Sequence, residues 1–133
     1  MSLVEQMKSL AAEAKCASRG LAKLTSEQRN TCLRAMADAL IQATPAMLEA
    51  NAKDMETGQS LGLSPAMLDR LKLDEKRVAA MANGLREVAA LPDPVGRILD
   101  DRTRPNGLHL QKIAVPIGVI VIIYESRPNV TAD

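Results

Sequence analysis

The sequence predicts an α/β chain: a run of N-terminal helices, a β-hairpin, and then the first strand of a larger parallel sheet that the chain does not complete. Three observations carry this. Apolar residues recur at helical spacing as far as Pro92, Asn106-Gly107 separates two segments of strand-like composition, and Val119-Ile120-Val121-Ile122-Ile123 is apolar without interruption.

Leu3, Met7, Leu10, Ala14, Ala17, Leu21 and Leu24 alternate spacings of four and three, so they form one stripe of a first helix, and that stripe needs a partner surface. Thr25 with Gln28 fits a capping box and opens a second helix, whose apolar face is Cys32, Leu33, Met36, Leu40 and Ile41. Thr44-Pro45 supplies the cap and first position of a third, continued by Leu48, Ala52 and Met55 to Gly58. Ser64-Pro65 restarts a short helix in the same manner. Asp74 caps the last one, with a face of Val78, Met81, Leu85 and Val88, and Pro92 stops it.

Pro92, Pro94 and Gly96 mark a junction. Beyond it, Ile98 to Thr103 and Leu108 to Val115 read as two strands joined by Arg104-Pro105-Asn106-Gly107, a tight turn with Asn-Gly supplying positive φ angles. Pro116-Ile117-Gly118 turns the chain again. The Val119 to Ile123 run that follows has no polar alternation, the signature of a strand covered on both faces. Its sheet neighbours are not in this sequence, so a free-standing copy is expected to aggregate through the bare strand edges. The expected divisions are 1–92 (helical), 93–115 (hairpin) and 116–133 (the start of the larger sheet).

Composition removes several function classes. In 133 residues, 17 Lys and Arg face 16 Asp and Glu, a net charge of +1, which lacks the cationic surplus of a nucleic-acid or anionic-membrane binder. Tyr124 is the sole aromatic residue, so stacking on bases is nearly excluded. The longest apolar run is far shorter than the ~20 residues of a bilayer span. Cys16 and Cys32 lack the paired spacing of a metal site, and with one histidine in the chain no metal is expected. Both cysteines read as buried or half-buried apolar residues of a reduced, cytoplasmic protein. His109, in mid-hairpin, reads as exposed to solvent or an interface, and Asp100 and Asp101 point to opposite faces of a strand rather than forming an acid and base pair.

Chemistry concentrates where the apolar run ends. Glu125, Arg127 and Asn129 offer an acceptor, a bidentate donor and an amide at the carboxyl end of a strand, where open α/β sheets bind ligands. The same residues equally suit a polar turn with Asn129 or Thr131 capping a helix.

The segments Val115-Pro116-Ile117-Gly118-Val119-Ile120 and Ile122-Ile123-Tyr124-Glu125-Ser126-Arg127-Pro128-Asn129-Val130-Thr131 resemble the signature region of the gamma-glutamyl phosphate reductase family, a branch of the aldehyde dehydrogenase superfamily. Ala50-Asn51-Ala52-Lys53-Asp54-Met55, the stretch from Gly62 to Leu71, and Leu91-Pro92-Asp93-Pro94-Val95-Gly96 agree in the same order. The resemblance implies that 93–115 is an oligomerisation sheet and 116–133 the start of a Rossmann-like NADP-binding cofactor domain, and it implies NADP as cofactor, a homo-oligomer, and the small-molecule substrate glutamyl 5-phosphate. It also implies a cysteine thiolate that displaces phosphate and a hydride transfer that yields glutamate 5-semialdehyde for proline synthesis. That nucleophile lies further along the family's chain, and neither Cys16 nor Cys32 matches it.

Pro116, Gly118 and Val119 match the superfamily's Pro-x-Gly-Val opening of the first cofactor-domain strand. Ile123, Tyr124, Glu125 and Ser126 then lie beside the cofactor. The superfamily's Pro-Trp-Asn strand end, whose Asn serves the oxyanion hole, falls on Glu125-Ser126-Arg127. Arg127 therefore has the position and Asn129 the chemistry of that donor, with Asn129 slightly favoured; the other residue anchors the substrate's anionic groups. The expected alternative to the reductase is a helical interaction module without catalytic activity.

Overall fold

The computed structural model describes residues 2–132, so the outer ends of the expected 1–92 and 116–133 divisions, Met1 and Asp133, lie outside the described residues. Five helices, a two-stranded antiparallel hairpin and a 3-10 turn follow one another: α1 (Leu3–Leu21), α2 (Ser26–Gln42), α3 (Thr44–Ser60), α4 (Pro65–Leu71), α5 (Glu75–Ala90), β1 (Ile98–Thr103), β2 (His109–Ile113) and the turn Pro128–Thr131. They group into two compact units. One holds residues 2–26 and 92–121, the other residues 27–91 and 122–132.

In the first unit, α1 starts at a reciprocal cap: Glu5 N–H donates to Ser2 Oγ at 3.3 Å and Ser2 N–H donates to Glu5 Oε2 at 2.7 Å. The Ser2 backbone N–H first, and the Ser2 hydroxyl second, hold the Glu5 carboxyl below its usual range. The apolar stripe predicted for α1 is present, yet the helix buries no residue, and Leu3, Val4, Met7, Leu10 and Leu21 are exposed. Cys16 is exposed as well, against the buried or half-buried expectation.

The hairpin forms where its composition predicts, with Asp101 opposite Gln111 and Thr103 opposite His109, and a register irregularity between Ile98 and Asp100. Two further bonds extend it: Gly96 N–H to Ala114 O at 2.8 Å and Ala114 N–H to Arg97 O at 2.9 Å. The turn differs from the expected pair of positive φ angles. Gly107 alone is left-handed, at φ +83°, and its N–H donates to Arg104 O at 2.9 Å. Pro105, with its fixed negative φ, favours a type I turn, and glycine then takes the left-handed position that follows. His109 and Gln111 both donate to the Asp101 carboxylate, which is held below its usual range by Gln111 first and His109 second. Asp100 instead pairs with Arg102 at 3.4 Å.

In the second unit the core lies between α2 and α5, where Ala37, Ala82 and Leu85 are buried and Leu33 and Leu40 pack against them. The buried stripe of α2 therefore runs through Ala37, flanked by the half-buried Leu33 and Leu40. Cys32, Met36 and Ile41, expected on that face, are exposed. The face of α5 shifts likewise: Val78, Met81 and Leu85 are buried as expected, but Ala89 takes the place assigned to Val88, which is 53% exposed. Arg86 reaches Asp38 at 2.8 Å on the rim of the same contact.

Ser64 caps α4 and Asp74 caps α5 through Arg77 N–H at 2.7 Å, both as predicted. The third helix begins one residue earlier than its proline suggested, with Thr44 already helical and its hydroxyl donating to Leu40 O at 3.2 Å. Asn51 is the buried polar residue among the described residues, and both ends of its amide are used: Nδ2–H donates to Leu71 O at 2.8 Å and Oδ1 accepts from Leu73 N–H at 2.7 Å.

The predicted strand at Val119 to Ile123 takes no strand conformation here, and Val121 and Ile123 are 84% and 94% exposed. A strand exists by virtue of a ladder partner, and among the described residues none pairs with this run.

Candidate functional site

The site grows out of the polar residues that follow the unpaired run. Ser126 has φ +54°, the one non-glycine among the described residues in the left-handed region. A residue there costs roughly 1–3 kcal/mol and persists where the surroundings over-determine it. The bend at Ser126 precedes Pro128, whose fixed φ suits the first position of the 3-10 turn. Val130 N–H donates to Arg127 O at 3.1 Å and Ala132 N–H to Asn129 O at 2.9 Å. Tyr124 and Thr131 share a hydrogen bond between their hydroxyls, which ties the segment before the bend to the turn after it.

This turn packs on α5 and faces two adjoining cavities. The first, about 350 Å³, is lined by Arg70, Lys72, Arg77 and Met81 together with Asn129. The second, about 570 Å³, is a groove of apolar character bounded by Met36, Leu40, Met47, Leu85, Pro128 and Ala132. Leu73 and Met81 contribute to both. The turn therefore presents a half-buried Asn129 to a cationic cavity while its proline and alanine close an apolar one.

Of the residues singled out in sequence, Asn129 alone enters the cationic cavity. Arg127, Glu125, Tyr124 and Ile123 are exposed, and Ser126 is half-buried at the bend. Neither Asn129 nor Thr131 caps an α-helix among the described residues; Arg127 holds the cap position of the 3-10 turn without a side-chain cap bond. Cys32, on α2, is exposed and borders neither cavity. The sequence reading missed Arg70, Lys72 and Arg77. Four cations within eight residues around the Asp74 cap, Lys76 being the fourth, were visible, but that stretch was read as the boundary between two helices.

Among the described residues there is no group of three or more His, Cys, Asp and Glu placed to hold a metal ion, and no helix is long and apolar enough to cross a membrane.

No protein-family model matches the chain. Curated sequences do. All 133 residues align at 55% identity with gamma-glutamyl phosphate reductase of Geobacter metallireducens, and 127 residues align at 58% with that of Paramagnetospirillum magneticum. The crystal structure of gamma-glutamyl phosphate reductase from Thermotoga maritima superposes with a TM-score of 0.86 at 38% identity, covering 92% of this chain and 30% of that one. The Saccharomyces cerevisiae protein of the same name gives 0.84 at 36% identity, covering 99% and 33%.

The helices, the hairpin and the turn thus correspond to one part of the α/β fold of these solved structures. The homologues in question are the gamma-glutamyl phosphate reductases, and the chain spans about a third of their length, 32% of the Geobacter sequence.

Proposed function

We propose that this chain is part of an NADP-dependent reductase that converts glutamyl 5-phosphate and NADPH, with a proton, to glutamate 5-semialdehyde, NADP⁺ and phosphate in cytoplasmic proline synthesis. The observation that carries the reading is the alignment of all 133 residues, the Tyr124 to Thr131 segment included, with 32% of the length of a gamma-glutamyl phosphate reductase. In this reading residues 1–92 are the helical segment, 93–115 an oligomerisation sheet of a homo-oligomer, and 116–133 the start of the cofactor domain. The exposed α1 stripe and the exposed hairpin fit burial against further protein, so the interaction-module alternative is absorbed rather than favoured.

The residues assigned to the cofactor are Ile123, Tyr124, Glu125 and Ser126. Their main chain makes no hydrogen bond among the described residues, and Ile123 lies open. Free backbone donors and acceptors beside an apolar side chain suit a nicotinamide ring and its carboxamide, whereas nothing in this stretch suits the cofactor's phosphates. The cofactor supplies the hydride when bound.

Asn129 donates its amide hydrogens to the acyl oxygen as negative charge develops there, an interaction worth about 3 kcal/mol in other acyl-transfer sites. The fixed turn holds that amide in place before the reaction begins. Arg127 anchors a standing anion of the substrate, because its guanidinium fork matches carboxylate or phosphate geometry. The nucleophilic cysteine belongs to the remainder of the protein.

The test is NADPH oxidation by the longer protein that contains this chain. Turnover with glutamyl 5-phosphate, abolished when a cysteine beyond Asp133 is changed to Ala, is the expected result. Undiminished turnover in every such cysteine variant would sink the mechanism.

A further inference from the structure

We infer that Arg70 and Lys72 form an anion subsite in the 350 Å³ cavity that receives the α-carboxylate of the amino-acid substrate. This rests on the reductase reading of the preceding section and adds the part of the site that selects the substrate.

The floor of the cavity is one face of α5: Arg77, Ala80, Met81 and Gly84 follow at i, i+3, i+4 and i+7. At the helical rise this strip is about 10 Å long. Its cations gather at the end where α5 begins, and the remainder is apolar. Arg77 is already satisfied. It donates to the Asp69 carboxylate at 2.9 Å, to Lys72 O at 2.7 Å and to Asp69 O, so its charge is balanced and it braces the connection between α4 and α5. Asp74, the next acid in the chain, is committed to the α5 cap.

Arg70 and Lys72 therefore line the cavity with no carboxylate partner among the described residues. Two uncompensated cations beside an apolar strip, with a neutral amide from Asn129 on the same cavity, match a ligand with an anionic head, a short methylene stem and an acyl group. A phosphate group bonded through its bridging oxygen to the reacting acyl carbon has no methylene stem to lay along the strip. The carboxylate of a glutamyl chain does.

Gly84 gives an independent observation. Glycine is disfavoured in a helix interior relative to alanine. A Cβ built at Gly84 meets no heavy atom within 4 Å, so packing inside this chain does not require glycine. A side chain there would instead occupy the cavity.

The experiment uses the full-length enzyme in the oxidative direction, with phosphate and NADP⁺, on two aldehydes: glutamate 5-semialdehyde and 4-aminobutanal, the same molecule without its α-carboxylate. The double variant Arg70→Met/Lys72→Met is expected to raise KM for glutamate 5-semialdehyde at least about tenfold, the loss of one charge-assisted hydrogen bond, and to change KM for 4-aminobutanal less than about twofold. Gly84→Ala is expected to raise the melting temperature while raising KM for glutamate 5-semialdehyde.

Equal losses on both aldehydes, or no loss on either, overturns the assignment. A rise in KM for inorganic phosphate alone assigns the cations to the phosphoryl group and overturns it too. If the unmodified enzyme oxidises neither aldehyde, the reductase reading has failed, and ligand protection then decides the cavity. Thermal stabilisation by L-glutamate but not by 4-aminobutyrate, lost in the double variant, supports the subsite. Equal stabilisation by the two compounds, or none, removes it.

Discussion

Asn51 on α3 and Leu73 before α5 are joined side chain to main chain, with Leu73 N–H donating to Asn51 Oδ1 at 2.7 Å. The same amide donates to Leu71 O at 2.8 Å, so one buried side chain replaces both backbone partners that the end of α4 lacks. This bond sets the path of the residues between Arg70 and Asp74, and so the rim of the cationic cavity. Asn51→Ala leaves a buried N–H and C=O without partners, and a loss of about 2–4 kcal/mol in urea unfolding is expected. Asn51→Asp keeps the acceptor and loses the donor. Hydrogen exchange at the Leu73 amide should therefore stay slow in Asn51→Asp and accelerate in Asn51→Ala; equal rates in the two variants would refute this division of roles.

A pH effect follows from the two carboxylates with lowered pKa values, Glu5 and Asp101. A carboxyl whose pKa is lower folded than unfolded stabilises the fold above its unfolded value, and that contribution disappears as pH falls through the folded one. Acidification below the ordinary carboxylate range should thus fray the first turn of α1 and loosen Asp101 from Gln111 and His109. Glu5→Gln retains a capping-box residue without a titrating group. Its Ser2 amide resonance is expected to lose most of the acid-range titration seen in the parent; an undiminished titration would show that Glu5 is not the group responsible.

Much of this architecture was legible beforehand because local chemistry determines it. Ser64, Pro65, Asp74, Pro105 and Gly107 act within a turn of their own positions, and their elements formed where predicted. Burial was less legible, since it depends on which helix lies opposite. Ala37 and Ala82 carry little weight in a hydropathy pattern, yet both are fully buried while Met36 and Val88 lie outside. The site divided along the same line. Asn129 stood out in a polar string after an apolar run, whereas Arg70, Lys72 and Asn51 join the site through contacts made across the fold.

The unpaired run predicts behaviour of the 133-residue chain by itself. Ile117, Val121 and Ile123 are among its most exposed side chains, and an exposed β-branched segment without a ladder partner pairs with other copies. Sedimentation velocity is expected to show concentration-dependent association, reduced in Val121→Lys/Ile123→Lys because charge on such a run opposes edge pairing. An identical sedimentation profile for parent and variant would locate the association elsewhere, with the exposed stripe of α1 the next surface to alter.

Asn129 and Arg127 should separate kinetically in the longer enzyme. Asn129 is half-buried on the cationic cavity and belongs to a turn that starts at Pro128 and is tied back by the Tyr124 to Thr131 bond, so in the proposed reaction its amide would be in place before the acyl group arrives. Arg127 is exposed two residues earlier, beside the left-handed Ser126. A preorganised neutral amide stabilises a transient oxyanion without also holding the departing phosphate. An exposed guanidinium gains most from an anion that carries its charge throughout. Asn129→Ala is therefore expected to lower kcat by about a hundredfold, and Arg127→Ala to act chiefly on KM. Circular dichroism establishes that each variant is folded, which matters because Asn129 O also accepts from Ala132 N–H, a bond that the substitution leaves intact. A normal kcat in Asn129→Ala together with a collapsed kcat at unchanged KM in Arg127→Ala would reverse the two roles, placing the oxyanion donor at the superfamily's Asn position rather than two residues beyond it.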